Sequence, residues 1–349
     1  MSSSQAEATS VSRPPVGVMF ERDVPPELLR DRVRLFEDVG LDDVWVVEDL
    51  SFAGGIATAA TALAATQRLG VGIGILPSMV RNPLFAAMEI AALSRLYPGR
   101  VLPGIGHGMQ DWMATVGARP DSPLAALDEV LTCVGALLRG ESVSIAGRYL
   151  RLDDAQLQFP PRERMRLLAG VRGPRSIRLA GAVCDGVILA EPLSPAYVRW
   201  ARGILDAAAA QAGRDRPTVV AYTWLSVAHD ARAAYERVLP MLASIPGGLS
   251  EPSVRSSLTA LDFGPELIAL IGSAASQQEL AASLRPEWVE ALSVTGTPRM
   301  CANAIQRLAQ AGADRVVLAP LPDDVDEQVT LLGREVLPLL GPARPPGTG

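Results

Sequence analysis

Lysine is missing from this 349-residue chain: all 32 basic side chains are arginine. With no side-chain amine, Schiff-base aldolases and lysine-anchored pyridoxal phosphate enzymes are excluded. The P-loop is excluded too, because its lysine and the GxxxxGK[ST] frame around it are both missing. Histidine is nearly as scarce, with only His107 and His229. Neither has a second histidine or cysteine at ligand spacing, which argues against zinc. The three cysteines, Cys133, Cys184 and Cys301, lie far apart in apolar, helix-like contexts and read as buried thiols. No apolar run approaches the ~18–20 residues of a membrane helix. Residues 1–14 are polar and serine-rich without an apolar core, so no signal peptide is expected. The net charge, 32 − 38 = −6, comes without a basic stripe, and a nucleic-acid partner is not expected. The expectation is a soluble cytoplasmic protein that acts on a small molecule.

What the chain does have is apolar residues, 48% of it, in runs of strand length. PVGVMF (15–20), DVWVVE (43–48), LGVGIGIL (69–76), RVLPGIG (100–106), MRLLAGV (165–171), DGVILA (185–190), TVVAYTWLSVA (218–228) and DRVVLAP (314–320) are nearly continuous. Continuous rather than alternating runs mark parallel strands covered on both faces. Helix-period segments lie between them. One opens at Pro25-Pro26 and closes at Gly40; another opens at Pro83, runs through Phe85, Met88, Ala92 and Leu96, and closes at Pro98-Gly99; a third spans Thr297-Pro298 to Gly312. Eight strands alternating with helices predict an α/β fold, a (β/α)8 TIM barrel, with a doubly wound sheet as the competitor. Two segments interrupt the rhythm. Residues 141–160 read as a hairpin turning at Ala146-Gly147-Arg148 before the fifth strand, and 245–296 as a helical excursion between strands seven and eight. One barrel domain is expected over 15–340, with disordered tails at 1–14 and 341–349.

A barrel of this type works at the C-terminal ends of its strands. The second strand ends in Glu48-Asp49, the third in Gly74-Ile75-Leu76-Pro77 and the fourth in Gly104-Ile105-Gly106-His107-Gly108. The fifth ends in Val171-Arg172-Gly173 and the sixth in Glu191-Pro192, while the seventh carries Tyr222 and Trp224. Gly72, Gly74, Gly104, Gly106 and Gly108 admit two explanations, tight packing inside the barrel or a flat ring lying on the backbone. Glu48 and Asp49 suit acid–base work and rim ion pairs equally, and His107 suits a structural hydrogen bond as well as proton donation. Acids on strands two and six alone are too sparse for a divalent metal, and none is expected. The stretch GVRGPRS raises a separate question. Gly173 makes a turn and Pro174 takes the first helical position. A helix start with so little bulk in front of it also binds an anion, and Arg172 and Arg175 would assist a phosphate. A phosphate at 172–176 and a ring on the glycines describe a phosphorylated, flavin-like cofactor.

The stretches GLDDVWVVEDL, RLGVGIGILPSMVRNP, LYPGRVLPGIGHG, GESVSIAGRYLRLDDAQL, LLAGVRGPRSIRLAGAVCDGVIL and GTPRMCANAIQRLAQAGADRVVLAPL resemble, in that order, the luciferase-like monooxygenase superfamily. Within it they resemble the branch dependent on the deazaflavin coenzyme F420, which includes methylenetetrahydromethanopterin reductase and F420-dependent glucose-6-phosphate dehydrogenase. The resemblance spans 15–340. It implies a bulged third strand with a non-proline cis peptide at Gly74-Ile75, behind the cofactor ring. It places phosphate-binding amides at Val171, Arg172, Gly173 and Arg175, and the acid-plus-histidine pair of strand two on Glu48 and Asp49, with aspartate in place of the histidine. Gly106, His107, Pro174, Ser176 and Glu191 complete the expected cofactor surroundings, and Asp49, Glu48 or His107 would handle the proton. The implied activity is hydride transfer between F420 and a small organic substrate, in a homodimer. The alternative is an FMN-dependent two-component monooxygenase fed by a separate flavin reductase. A third reading is a barrel that has lost catalysis and serves as a partner subunit.

Overall fold

The computed structural model describes residues 13–245 and 252–343, with the backbone alone for Pro252 and Ser253. Eleven strands form among them: β1 (Val16–Phe20), β2 (Asp43–Val46), β3 (Gly70–Pro77), β4 (Val101–Gly106), β5 (Val143–Ala146), β6 (Arg151–Ala155), β7 (Leu168–Gly170), β8 (Gly186–Leu189), β9 (Thr218–Val227), β10 (Ser293–Gly296) and β11 (Arg315–Pro320). Eight of them close a parallel barrel in the order β1-β2-β3-β4-β7-β8-β9-β11, with β11 pairing back onto β1. The barrel decides against the doubly wound sheet. The expected hairpin is β5–β6, antiparallel and outside the barrel.

Helices follow the barrel strands: α1 (Leu29–Asp38), α2 (Gly55–Ala65), α3 (Pro83–Leu96), α4 (Gln110–Thr115), α5 (Pro123–Leu138), α6 (Pro174–Val183), α7 (Pro195–Gln211) and α8 (Ala231–Ala243). Their starts have local causes. Proline occupies the first turn of α3, α5, α6 and α7, where no backbone N–H is needed. Asn82 caps α3 by accepting from the Leu84 amide at 2.9 Å, and Ser194 caps α7 by accepting from Tyr197 at 3.1 Å.

The excursion contains α9 (Pro252–Thr259), α10 (Gly264–Ser273), α11 (Gln277–Ser283) and α12 (Pro286–Leu292), and it ends in a strand that the sequence did not announce. That strand, β10, pairs in parallel with the upper half of β9, Ser293 opposite Trp224. Its four residues, SVTG, are too short and too polar for a periodicity signal. The excursion has its own apolar cluster, which takes in Trp224, Ala319 and Leu321 from strand ends and stacks Phe263 on Trp288. Met19 of β1 packs against both this cluster and the barrel interior.

Outside the barrel wall, Val16, Val18, Val44, Val46, Val71 and Ile73 pack under the helices. Inside it lie Trp45, Leu168, Ile188, Val220, Tyr222 and Val317. The N-terminal face is closed by aspartates that take both a strand-start amide and arginine. Asp42 accepts from Val16 N at 2.7 Å and pairs with Arg13; Asp185 accepts from Leu167 N at 3.0 Å and pairs with Arg164 and Arg214; Asp314 accepts from Val219 N at 2.8 Å and pairs with Arg202 and Arg216. These contacts tie the strand starts together at the face opposite the strand C-termini, where a barrel's stability rather than its chemistry resides. The expected tails lie largely outside the described residues. At their inner ends Arg13 is buried and its amide donates to the Pro342 carbonyl at 2.9 Å.

The apolar positions that mark α3 in the sequence face outward. Phe85, Met88, Ala92 and Leu96 of α3 are exposed, while Ala86, Ala87, Ile90, Ala91 and Leu93 pack on the barrel. Because α3 is apolar almost all round, spacing cannot choose its inner face. The small alanines win that face because they let the helix approach the sheet closely.

Candidate active site

At the C-terminal end of β3 the peptide between Gly74 and Ile75 is cis, and pairing with β4 shifts register between Ile73 and Leu76. The bulge therefore falls where the resemblance placed it. The neighbouring glycines answer the packing question more than the ring question. A Cβ on Gly72 would lie 2.1 Å from the Trp45 indole, one on Gly104 2.4 Å from Ile188, and one on Gly106 2.6 Å from the Gly170 carbonyl. These glycines make room for the barrel's own contents. Gly173 differs: nothing stands within 4 Å of the position its Cβ would take.

Gly173 is the N-cap of α6 and supplies no side-chain cap, so the first turn of this ten-residue helix keeps its amides free of a capping side chain. Arg175, in that turn, is exposed. Ser176, one residue on, meets the ring of His107 from the end of β4, Oγ to Nε2 at 3.0 Å. The fold thus brings together two segments that the sequence leaves 69 residues apart. The other ring nitrogen, Nδ1, is buried with no hydrogen-bond partner; the Pro123 backbone lies beside it, outside normal hydrogen-bond geometry. Burial lowers the pKa of His107, with the Pro123 carbonyl opposing, and favours the neutral imidazole. Arg172 turns away from the helix start: its Nη2 donates to the Glu191 carbonyl at 2.7 Å, and its own carbonyl accepts from Tyr197 Oη at 2.6 Å. The Glu191–Pro192 peptide is also cis.

The expected acid pair of strand two is split. Glu48 accepts from the Gly55 amide at 2.7 Å, capping α2, and forms a two-pronged ion pair with Arg81. Both its oxygens are engaged, by the Gly55 amide and by the Arg81 guanidinium. Asp49 points to the mouth and pairs with Arg22 at 2.9 Å. Arg22 in turn lies over Phe52 and Trp112, 5.4 and 5.6 Å from the ring centroids.

The residue that the sequence reading passed over is Glu21. It directly follows β1, so the strand-end criterion applied to strands two to six would have found it. Its carboxyl pKa is pushed up to about 8, chiefly by burial, then by the charges of Glu191 and Asp23, with Arg22 opposing and Asp49 adding a little. Glu21, Glu191 and Asp49 thus converge on one mouth from β1, β8 and β2. Beneath them Tyr222 is buried, and its pKa is raised by that burial and by Glu191 and Glu21. A groove of about 570 Å³ bounded by Met79, Val80, Arg119, Asp121 and Tyr149 lies apart from this cluster and shares no residue with it.

The closed parallel barrel and the uncapped helix start after its fifth strand define a (β/α)8 barrel with its candidate site at the strand C-termini. The luciferase-like monooxygenase family model matches residues 7–315, and the chain belongs to that family. It is 26% identical over 328 residues to the 5,10-methylenetetrahydromethanopterin reductase of Methanolobus tindarius, covering 92% of this chain and 99% of that one. It is 33% identical over 208 residues to the F420-dependent glucose-6-phosphate dehydrogenase of Microbacterium testaceum, covering 56% of this chain and 62% of the relative. Among solved structures, the coenzyme F420-dependent tetrahydromethanopterin reductase of Methanopyrus kandleri superposes with a TM-score of 0.79 at 23% identity, covering 94% of this chain and all of that one. No helix among the described residues is long and apolar enough to cross a membrane.

Proposed function

We propose that this protein is an oxidoreductase that transfers a hydride between coenzyme F420 and a small organic substrate. The observation that carries the reading is the open, uncapped start of α6 at the same barrel end as the cis bulge and the Glu21 carboxyl. The names of the full-length relatives point the same way. When bound, the deazaflavin supplies or accepts the hydride at the ring carbon that replaces the reactive nitrogen of a flavin.

The chain's own residues do the rest. The free amides of the first turn of α6 hold the cofactor phosphate, with the helix dipole behind them and Arg175 beside them. His107, kept neutral by burial, latches Ser176 and so fixes that turn against β4. The Gly74–Ile75 bulge would lie behind the ring. Glu21 exchanges the proton that accompanies hydride transfer: a carboxyl that titrates near 8 is still largely protonated at neutral pH and gives its proton up readily. Asp49 and Glu191 help hold that proton on Glu21, and the excursion shields the mouth on the side of β9, β11 and β1. We propose further that the protein is a cytoplasmic homodimer.

The test is a titration with F420 and with FMN, each in both oxidation states, followed by cofactor fluorescence. Tight binding of the deazaflavin and weak binding of FMN is the expected result. Preference for reduced FMN would refute it and make the protein a monooxygenase component in need of a separate reductase. Binding of neither would leave a non-catalytic barrel.

A further inference from the structure

Tyr222 is the polar group at this mouth with no assigned task. It lies on β9 with 3% of its surface exposed, and its hydroxyl has no hydrogen-bond partner. Buried hydroxyls are ordinarily satisfied. Tyr197, buried as completely, donates to the Arg172 carbonyl at 2.6 Å.

The position of the Tyr222 hydroxyl is closely defined. Trp45 stands edge-on to the phenol ring, centroids 5.6 Å apart and planes at 79°, and fills the barrel beside it. On the other side a Cβ on Gly74 would lie 2.2 Å from the hydroxyl oxygen. The oxygen therefore rests against the cis bulge, and only a glycine at 74 admits it. Two carboxyls, Glu191 from β8 and Glu21 from β1, act on it from the mouth. Burial and these charges keep the phenol protonated, so it has a hydrogen to donate.

We propose that Tyr222 is a binding residue of the cofactor site: its hydroxyl donates a hydrogen bond to an acceptor atom of the ring that lies against Gly74–Ile75. The proposal rests on the tricyclic-cofactor reading above and names a contact which that reading does not contain. The contact lies at the bulge rather than at the phosphate, so it acts on the ring independently of the α6 amides.

Tyr222→Phe removes one oxygen and keeps the ring against Trp45. Two measurements on the purified protein decide the matter: thermal unfolding without ligand, and fluorescence titration with F420 and FMN. The unliganded variant is expected to melt at the wild-type temperature or above it, because no internal bond is lost. Its Kd for the cofactor that the wild type binds is expected to rise about three- to tenfold, the worth of one neutral hydrogen bond. A clear drop in unliganded Tm would overturn the proposal by revealing an internal partner. An unchanged Kd would overturn it as well, including the case in which only the KM of the substrate rises. A wild type that binds neither cofactor overturns the functional reading and this contact with it, and that failure shows in the wild type rather than in the variant.

Discussion

Replacing Glu21 with glutamine should make the protein more stable at pH 8.5 and leave it almost unchanged at pH 4.5. Glutamine keeps the shape of the protonated carboxyl and carries no charge at any pH. Below the ordinary carboxyl value of 4.5, the folded and unfolded chains both hold the Glu21 proton, and the residue adds no pH dependence. Above it the unfolded chain releases the proton while the folded chain keeps it until about pH 8. Stability therefore falls as pH rises through this window and levels off beyond it. At ~1.4 kcal/mol per pH unit the loss has a ceiling of about 5 kcal/mol. Glu21 is mostly buried but keeps a partial solvent exposure that returns some of that, so about 2–3 kcal/mol is the expected gain for Glu21→Gln at high pH. In a chain of this size that is roughly 3–4 °C in Tm. The assay is thermal unfolding of wild type and variant at pH 4.5, 6, 7 and 8.5. The difference should grow steadily across the series. An equal difference at every pH, or a variant less stable at pH 8.5, would refute the account of Glu21. Stability gained should be activity lost: the variant has no proton to exchange, and the pH–rate inflection near 8 should vanish with it.

Gly173→Asp places a carboxylate in the open space before α6; it should stabilise the helix by about 0.5 kcal/mol as an N-cap beside the helix dipole and abolish cofactor binding, read by unfolding and titration together. His107→Ala should raise the cofactor Kd severalfold by releasing Ser176 while kcat is largely retained; a collapse of kcat at unchanged Kd would make His107 the proton donor instead. Glu48→Ala should lower stability by about 1–2 kcal/mol, since it uncaps α2 and leaves Arg81 with Glu89 alone, with near-normal kcat in the protein that remains folded.

The barrel was legible because its strands are covered on both faces, which leaves continuous apolar runs that need no tertiary information to be seen. Helix starts were legible for a similar reason: proline and capping residues act on the turn in which they stand. The start of α6 belongs to this class, and so does the glycine that leaves its front open. Chain position alone also told the C-terminal strand ends, where function gathers, from the aspartate-closed entry ends. What periodicity could not decide was direction. On α3 nearly every position is apolar, and only packing against the barrel chose the alanines and left Phe85 and Leu96 outside. The fate of Glu48 and Asp49 was settled in the same way. They are neighbours in sequence, but successive residues leaving a strand point apart, so one caps a helix and the other faces the mouth. The raised proton affinity of Glu21 comes chiefly from burial where the barrel closes and from Glu191 brought alongside it after β8, with its chain neighbour Asp23 adding to both. The lone hydroxyl of Tyr222 has its place through Trp45 and Gly74, residues far from it in the chain. Patterns that act within a few residues are written in the sequence; desolvation and charge proximity are made by residues from different strands and come into being only when the barrel closes.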